Sequence, residues 1–131
     1  MLDELLQTSV NLRLAKAREC LNNAEKNLED MAYANAANRS YYCIFHSMRA
    51  VLTTIGFSSK THSGVISEFR RRYIKESVFP KTFSRIIDNA FDIRNDSDYN
   101  EFYVVSEEEV AQQTANAKIF LTAVEEYIST L

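Results

Sequence analysis

The sequence predicts an all-α protein, an antiparallel up-and-down bundle of four main helices plus a short lateral helix, and three observations carry that expectation. Val10, Leu14, Ala17, Leu21, Ala24, Leu28 and Met31 recur at alternating spacings of three and four, as do Val110, Thr114, Ala117, Leu121, Val124, Ile128 and Leu131. Such spacing puts each set on one helical seam. Between them, residues 34–56 carry a two-faced helical pattern. Finally, two Gly and one Pro in 131 residues leave little turn chemistry for a multi-strand fold.

The first helix is expected over residues 9–31, with Arg13, Lys16, Arg18, Glu25, Lys26 and Glu29 on its outer side. The second begins near Met31 and stops at Gly56, which can take the left-handed conformation of a helix terminus. Its core stripe is Ala34, Ala37, Tyr41, Ile44, Met48, Val51 and Ile55. Ser59, Thr61 and Ser63 are alternative caps for a third helix over 64–75, which turns Phe69 and Tyr73 inward with Val65 or Ile66. Pro80 suits the opening of a fourth helix with Phe83, Ile86, Ile87, Ala90 and Phe91 on its apolar face. The last helix has the clearest start. Ser106 with Glu109 forms a capping box, and Val105 with Val110 forms the accompanying hydrophobic staple.

A length of 131 residues suits one domain, 1–131, able to bury a core without staples. Cys20 and Cys43 both sit inside helical patterns, which predicts buried thiols and no disulfide framework. The acidic N-terminus lacks the basic flank and apolar run of a secretion signal, and no apolar stretch reaches membrane-span length. The expected setting is the reducing cytoplasm. Net charge is −3, but residues 60–94 carry 8 basic and 4 acidic side chains, while 95–131 carry 1 and 8. The middle of the chain is therefore locally basic, either as a solvated helix face or as a patch for a polyanion.

The chemistry concentrates on two helices. Arg39, Tyr42, His46 and Arg49 share the second face of helix two. Arg94 lies one turn beyond Ala90 and two beyond Ile87, so it prolongs the inward stripe of helix four. A guanidinium there needs partners, and Asp98 and Tyr99 are the nearest. The expectation is that Arg39, His46, Arg94, Asp98 and Tyr99 meet in one cleft. Plainer readings stand beside this one: His46 as a hydrogen-bonded core imidazole, His62 as a cap or surface residue, and Arg94 with Asp98 as an internal ion pair. Asp96 and Asp98 lack the glycine and distal glutamate of a calcium loop, so no metal site is expected, and no cofactor is implied.

The stretches 39–46 (ArgSerTyrTyrCysIlePheHis), 60–65 (LysThrHisSerGlyVal) and 94–99 (ArgAsnAspSerAspTyr) resemble the HEPN family, as do the number and order of helices across nearly the whole chain. The resemblance implies a small helical protein, usually a homodimer, often paired with a minimal nucleotidyltransferase as toxin and antitoxin. It also implies that Tyr99 matches a tyrosine that accepts a nucleotide in some relatives. Many members are metal-independent ribonucleases whose motif is an arginine followed a few residues later by a histidine. Arg94 matches the arginine, but no histidine follows it, and Asp98 and Tyr99 stand in its place.

Cleaving RNA without metal requires a base for the 2′-hydroxyl, an acid for the leaving oxygen and positive charge on the phosphate. Arg94 supplies charge. An ordinary carboxyl such as that of Asp98 is a poor acid near neutrality, so His46 or His62 would have to substitute. The favoured expectation is a nucleotide- or RNA-phosphate-binding partner of a nucleotidyltransferase. In it, Arg94, Arg39, Tyr42, His46, His62 and Tyr99 contact the ligand. The alternatives are an endoribonuclease toxin, with Arg94, His46 and Asp98 as catalytic groups, and a structural adaptor without ligand.

Overall fold

The computed structural model describes residues 2–131. Five helices follow one another: α1 (Glu4–Glu29), α2 (Tyr33–Thr53), α3 (His62–Phe69), α4 (Thr82–Tyr99) and α5 (Glu107–Ser129). There is no strand among the described residues. The predicted all-α bundle is the fold observed.

α1 starts earlier than the seam suggests. Asp3 accepts the Leu6 N–H at 2.8 Å, an N-cap that begins the helix five residues before residue 9. α1 also ends before Met31, which the sequence pattern places in the seam. Met31 has φ of 60° and is 72% exposed. The Ala32 N–H bonds to Asn27 O and that of Met31 to Leu28 O, a Schellman stop whose left-handed position falls on a methionine. That closure reverses the chain within three residues and lays α2 antiparallel on α1.

α2 is the central helix. It buries Ala36, Ala37, Ser40, Tyr41, Cys43, Ile44, Phe45, Ser47, Met48, Ala50, Val51 and Leu52, far more than one stripe, because α1, α3, α4 and α5 all pack against it. At its ends the predicted stripe fails: Ala34 and Ile55 are exposed. Gly56 acts as predicted, with φ of 74°, and the Phe57 N–H to Leu52 O bond of 3.0 Å completes a second Schellman stop.

Thr61 caps α3, accepting the Gly64 N–H at 3.0 Å, so α3 opens at His62, two residues before the expected start. It runs into a π-helical turn over Arg70–Ile74, with Val65, Phe69 and Tyr73 buried as expected. Arg71 and Arg72 both pair with Glu68, and Arg70 pairs with Asp88. Two carboxylates thus offset part of the charge of the triple-arginine run.

Pro80 lies in the turn before α4, where its carbonyl accepts the Phe83 N–H at 3.0 Å. α4 buries Phe83, Ile87 and Ala90 and continues through Arg94 to Tyr99. α5 is capped by Ser106, whose hydroxyl accepts the Glu109 N–H at 3.1 Å. Glu109 also accepts from the Tyr103 hydroxyl at 2.6 Å, which ties the loop from α4 to the helix start. Leu131 lies past the helix end and is 44% exposed, so the seam stops at Ile128. Both cysteines are free and buried, and burial pushes the Cys43 thiol up to about 12, which leaves it inert as a nucleophile. Among the described residues no helix is long and apolar enough to cross a membrane.

Candidate functional site

Tyr42 is the hub at which the two candidate helices meet. The Arg94 guanidinium, carried by α4 with its side chain 15% exposed, donates from Nη2 to the Tyr42 hydroxyl at 3.2 Å. Its carbon lies 5.4 Å from the Tyr41 and Tyr42 ring centres and 5.8 Å from that of Tyr99. The Arg39 guanidinium lies 5.2 Å from the Tyr42 ring. Two cations therefore share one phenol, an arrangement that the electron-rich ring tolerates.

A polar chain closes the circuit. Arg39 donates from Nε and Nη2 to the side-chain Oδ1 of Asn38 at 2.9 and 2.6 Å, and Asn38 Nδ2 donates to Asp98 Oδ2 at 3.4 Å. Asp98 Oδ2 is 3.1 Å from Arg94 Nε, but off the N–H axis, so this is an ion pair without an aligned hydrogen bond. Because α4 remains helical to Tyr99, Arg94 and Asp98 are one turn apart on the same face. Arg94 Nη1 has only a 3.4 Å contact to Asn95. The cluster thus holds two guanidiniums against one carboxylate and keeps donor capacity for an incoming anion.

The two histidines differ. Nδ1 of His62 lies 2.8 Å from the Tyr41 hydroxyl, and its ring centre is 4.2 Å from that of Phe45. Burial pushes the Tyr41 phenol up to about 12. The phenol therefore keeps its proton, and the Tyr41 hydroxyl and His62 Nδ1 share one hydrogen bond whose direction follows the tautomer of the ring. Burial lowers the His62 pKa, with Arg94 and Arg49 adding to the effect. His46 touches the cluster only through ring contacts with Tyr42 and Phe45, at 6.0 and 5.7 Å, and its buried Nδ1 has no partner. The expectation that a core histidine is hydrogen-bonded is not met at that nitrogen.

Burial pushes His46 down to about 4, helped by Arg49, Lys16, Arg13 and Arg39. It is uncharged at neutral pH and cannot serve there as a proton donor. Its shift also has a stability consequence. The unfolded ring, with a pKa near 6.5, binds a proton first, so its contribution is complete above about 6.5 and shrinks as pH falls toward 4. The full displacement corresponds to roughly 3 kcal/mol. The ring keeps some exposure to water, which leaves about 1 to 2 kcal/mol. Urea unfolding of the wild type and His46→Gln from pH 7 to 4 should show the wild type losing that much more stability than the variant.

Arg39, Tyr42, Arg94, Asp98 and Tyr99 thus converge, His62 joins through Tyr41, and His46 stands at the edge. Sequence reasoning missed Asn38, which links the two helices, and the hydroxyl of Tyr41, which it counted as core. It also put Arg13 on the outer side of α1, whereas Arg13 is half-buried and lines a cleft with Arg49. The spacing of Asn38 and Tyr42, one turn apart, was the available signal.

A sequence profile described as the HEPN domain matches residues 10–127. A Thermotoga maritima protein named "UPF0332 protein" is 34% identical over 116 residues, covering 88% of each chain. An Archaeoglobus fulgidus protein with the same name is 30% identical, over 86% of this chain and 89% of its own. A Methanocaldococcus jannaschii protein named "Putative toxin MJ0605" is 31% identical, over 76% of this chain and 74% of its own.

Proposed function

The chain belongs to the HEPN family, and from that premise we propose that it binds the phosphate of an RNA or nucleotide through Arg94 and Arg39. It acts as the HEPN member of a toxin and antitoxin type pair whose other member is a nucleotidyltransferase. The toxin name of the Methanocaldococcus jannaschii relative supports the toxin side of that reading. The observation that carries the binding reading is the double guanidinium around Tyr42, with one carboxylate for two cations. Planar forks on a rigid aromatic base suit tetrahedral phosphate, and helix packing holds them in place before the ligand arrives. Two copies form a homodimer that brings the polar faces of α2 or α4 near one another. Sedimentation showing a strict monomer at tens of micromolar would remove that element.

The second reading, an endoribonuclease toxin, gains from one contact. His62 is bonded to Tyr41 beneath Arg94 and is better placed than His46 to replace the absent motif histidine. Purified protein incubated with single-stranded RNA in chelator separates the two. We expect binding with little or no cleavage. Robust cleavage abolished by His62→Ala or His46→Ala would make the ribonuclease the leading reading, and absence of binding to any RNA or nucleotide would leave a structural adaptor.

A further inference from the structure

A second basic cleft lies on the far side of the Phe45 and His62 rings. It is open, of about 610 Å³, and is lined by Arg13 of α1, Arg49 of α2, Ser59 and Lys60 of the loop before α3, and His62 at the start of α3. The charges in it are unmatched. Arg13, Arg49 and Lys60 have no carboxylate partner among the described residues, as is also true of Arg39 and Arg85, and here three such cations line one cleft. The buried Nε of Arg13 makes no hydrogen bond. Arg13 and Arg49 line this cleft together, and Arg13 lowers the pKa of Arg49, second to burial. A fold that leaves two half-buried like charges facing an open cleft bears a cost that an entering anion removes.

The loop is shaped for this. Thr61 and Ser59 hold one another through the Ser59 hydroxyl, and both crowd Gly64, where an added Cβ would come within 2.3 Å of Ser59 Oγ and 2.8 Å of Thr61 Oγ1. The glycine therefore lets the Ser59–Thr61 turn lie close on α3 and brings Lys60 to the rim of the cleft. His62 lines the cleft and also bonds to Tyr41, whose ring Arg94 covers, so the two basic sites share one aromatic wall.

We propose that Arg13, Arg49 and Lys60 form a second phosphate subsite, which takes another phosphate of the same single-stranded RNA whose neighbouring phosphate meets Arg94. The strand path rests on the reading of Arg94 given above, while the subsite itself rests on the cleft. Two guanidinium forks and an ammonium match a phosphodiester backbone better than a single carboxylate.

The test compares a labelled single-stranded RNA hexamer with a mononucleoside 5′-monophosphate, using wild type, Arg13→Gln, Lys60→Gln and Arg94→Gln, each checked by thermal melting. Arg13→Gln and Lys60→Gln should each weaken hexamer binding about tenfold and flatten the slope of log affinity against log salt by about 0.7, the contribution of one single-strand phosphate. Monophosphate binding, which needs only one of the two sites, should fall less than hexamer binding in each of these variants. Arg94→Gln should weaken both ligands. If Arg13→Gln and Lys60→Gln keep wild-type hexamer affinity and slope, the subsite is wrong even where Arg94→Gln weakens binding. If the cleft variants weaken the hexamer and Arg94→Gln changes nothing, the subsite stands and the reading of Arg94 falls. Lys60 is exposed in the loop, so its variant tests the cleft even if Arg13→Gln fails to fold.

Discussion

Replacing Arg94 by alanine is expected to weaken binding of a short single-stranded RNA by roughly 10- to 100-fold. Charge-assisted hydrogen bonds to an anion are worth about 1.5 to 3 kcal/mol, and each 1.4 kcal/mol is a factor of ten. The loss should shrink at high salt, because the interaction is with phosphate. Asp98→Ala should not weaken binding. Its carboxylate accepts from Asn38 and repels phosphate, so removing it takes a competing negative charge away from Arg94. Arg94→Lys should fall between the two, since it keeps the charge but loses the planar fork that reaches Tyr42 and the ligand together. Filter binding or fluorescence anisotropy on the three variants gives the order directly.

The largest effect on stability is expected at Phe120, which lies on α5 with no exposed surface. Its ring stacks at 4.7 Å on Phe83 of α4 and lies 5.6 Å from Phe69 of α3. Phe120→Ala removes the contact through which one helix holds two others. It should cost about 3 to 5 kcal/mol and lower Tm by roughly 10 to 20 °C. Because α4 carries Arg94, the variant should also weaken RNA binding at temperatures where it is still folded. Leu12→Ala, at a side chain 64% exposed, should stay within about 0.5 kcal/mol of wild type. Chemical denaturation of both variants checks the contrast.

The long-range features of the site were more legible than its hydrogen bonds. Periodicity places Arg94 on the inward stripe of its helix and Arg39, Tyr42 and His46 on one face of α2, because both are consequences of 3.6-residue spacing. Helix ends were harder. Asp3 starts α1 by a cap that the acidic N-terminus concealed, and Met31 closes it in a left-handed conformation that sequence associates with glycine. The polar run after Arg94 is helical to Tyr99, which is why Asp98 comes back onto Arg94. The spacing of Asn38 from Tyr42 put it on the right face, but its linking role depends on two partners, one adjacent and one 60 positions away. Arg13 was misread for a related reason. A seam pattern says which face of a helix is buried, but not which of its flanks meets a neighbouring helix and becomes the wall of a cleft.

The most direct measurement of the central claim is a structure of the protein with a short single-stranded RNA bound. A phosphate within hydrogen-bond distance of Arg94 Nη1, with Arg39 still packed on Tyr42, is the predicted result. An RNA seated elsewhere, with Arg94 closed on Tyr42 and Asp98 as in the free protein, would contradict it.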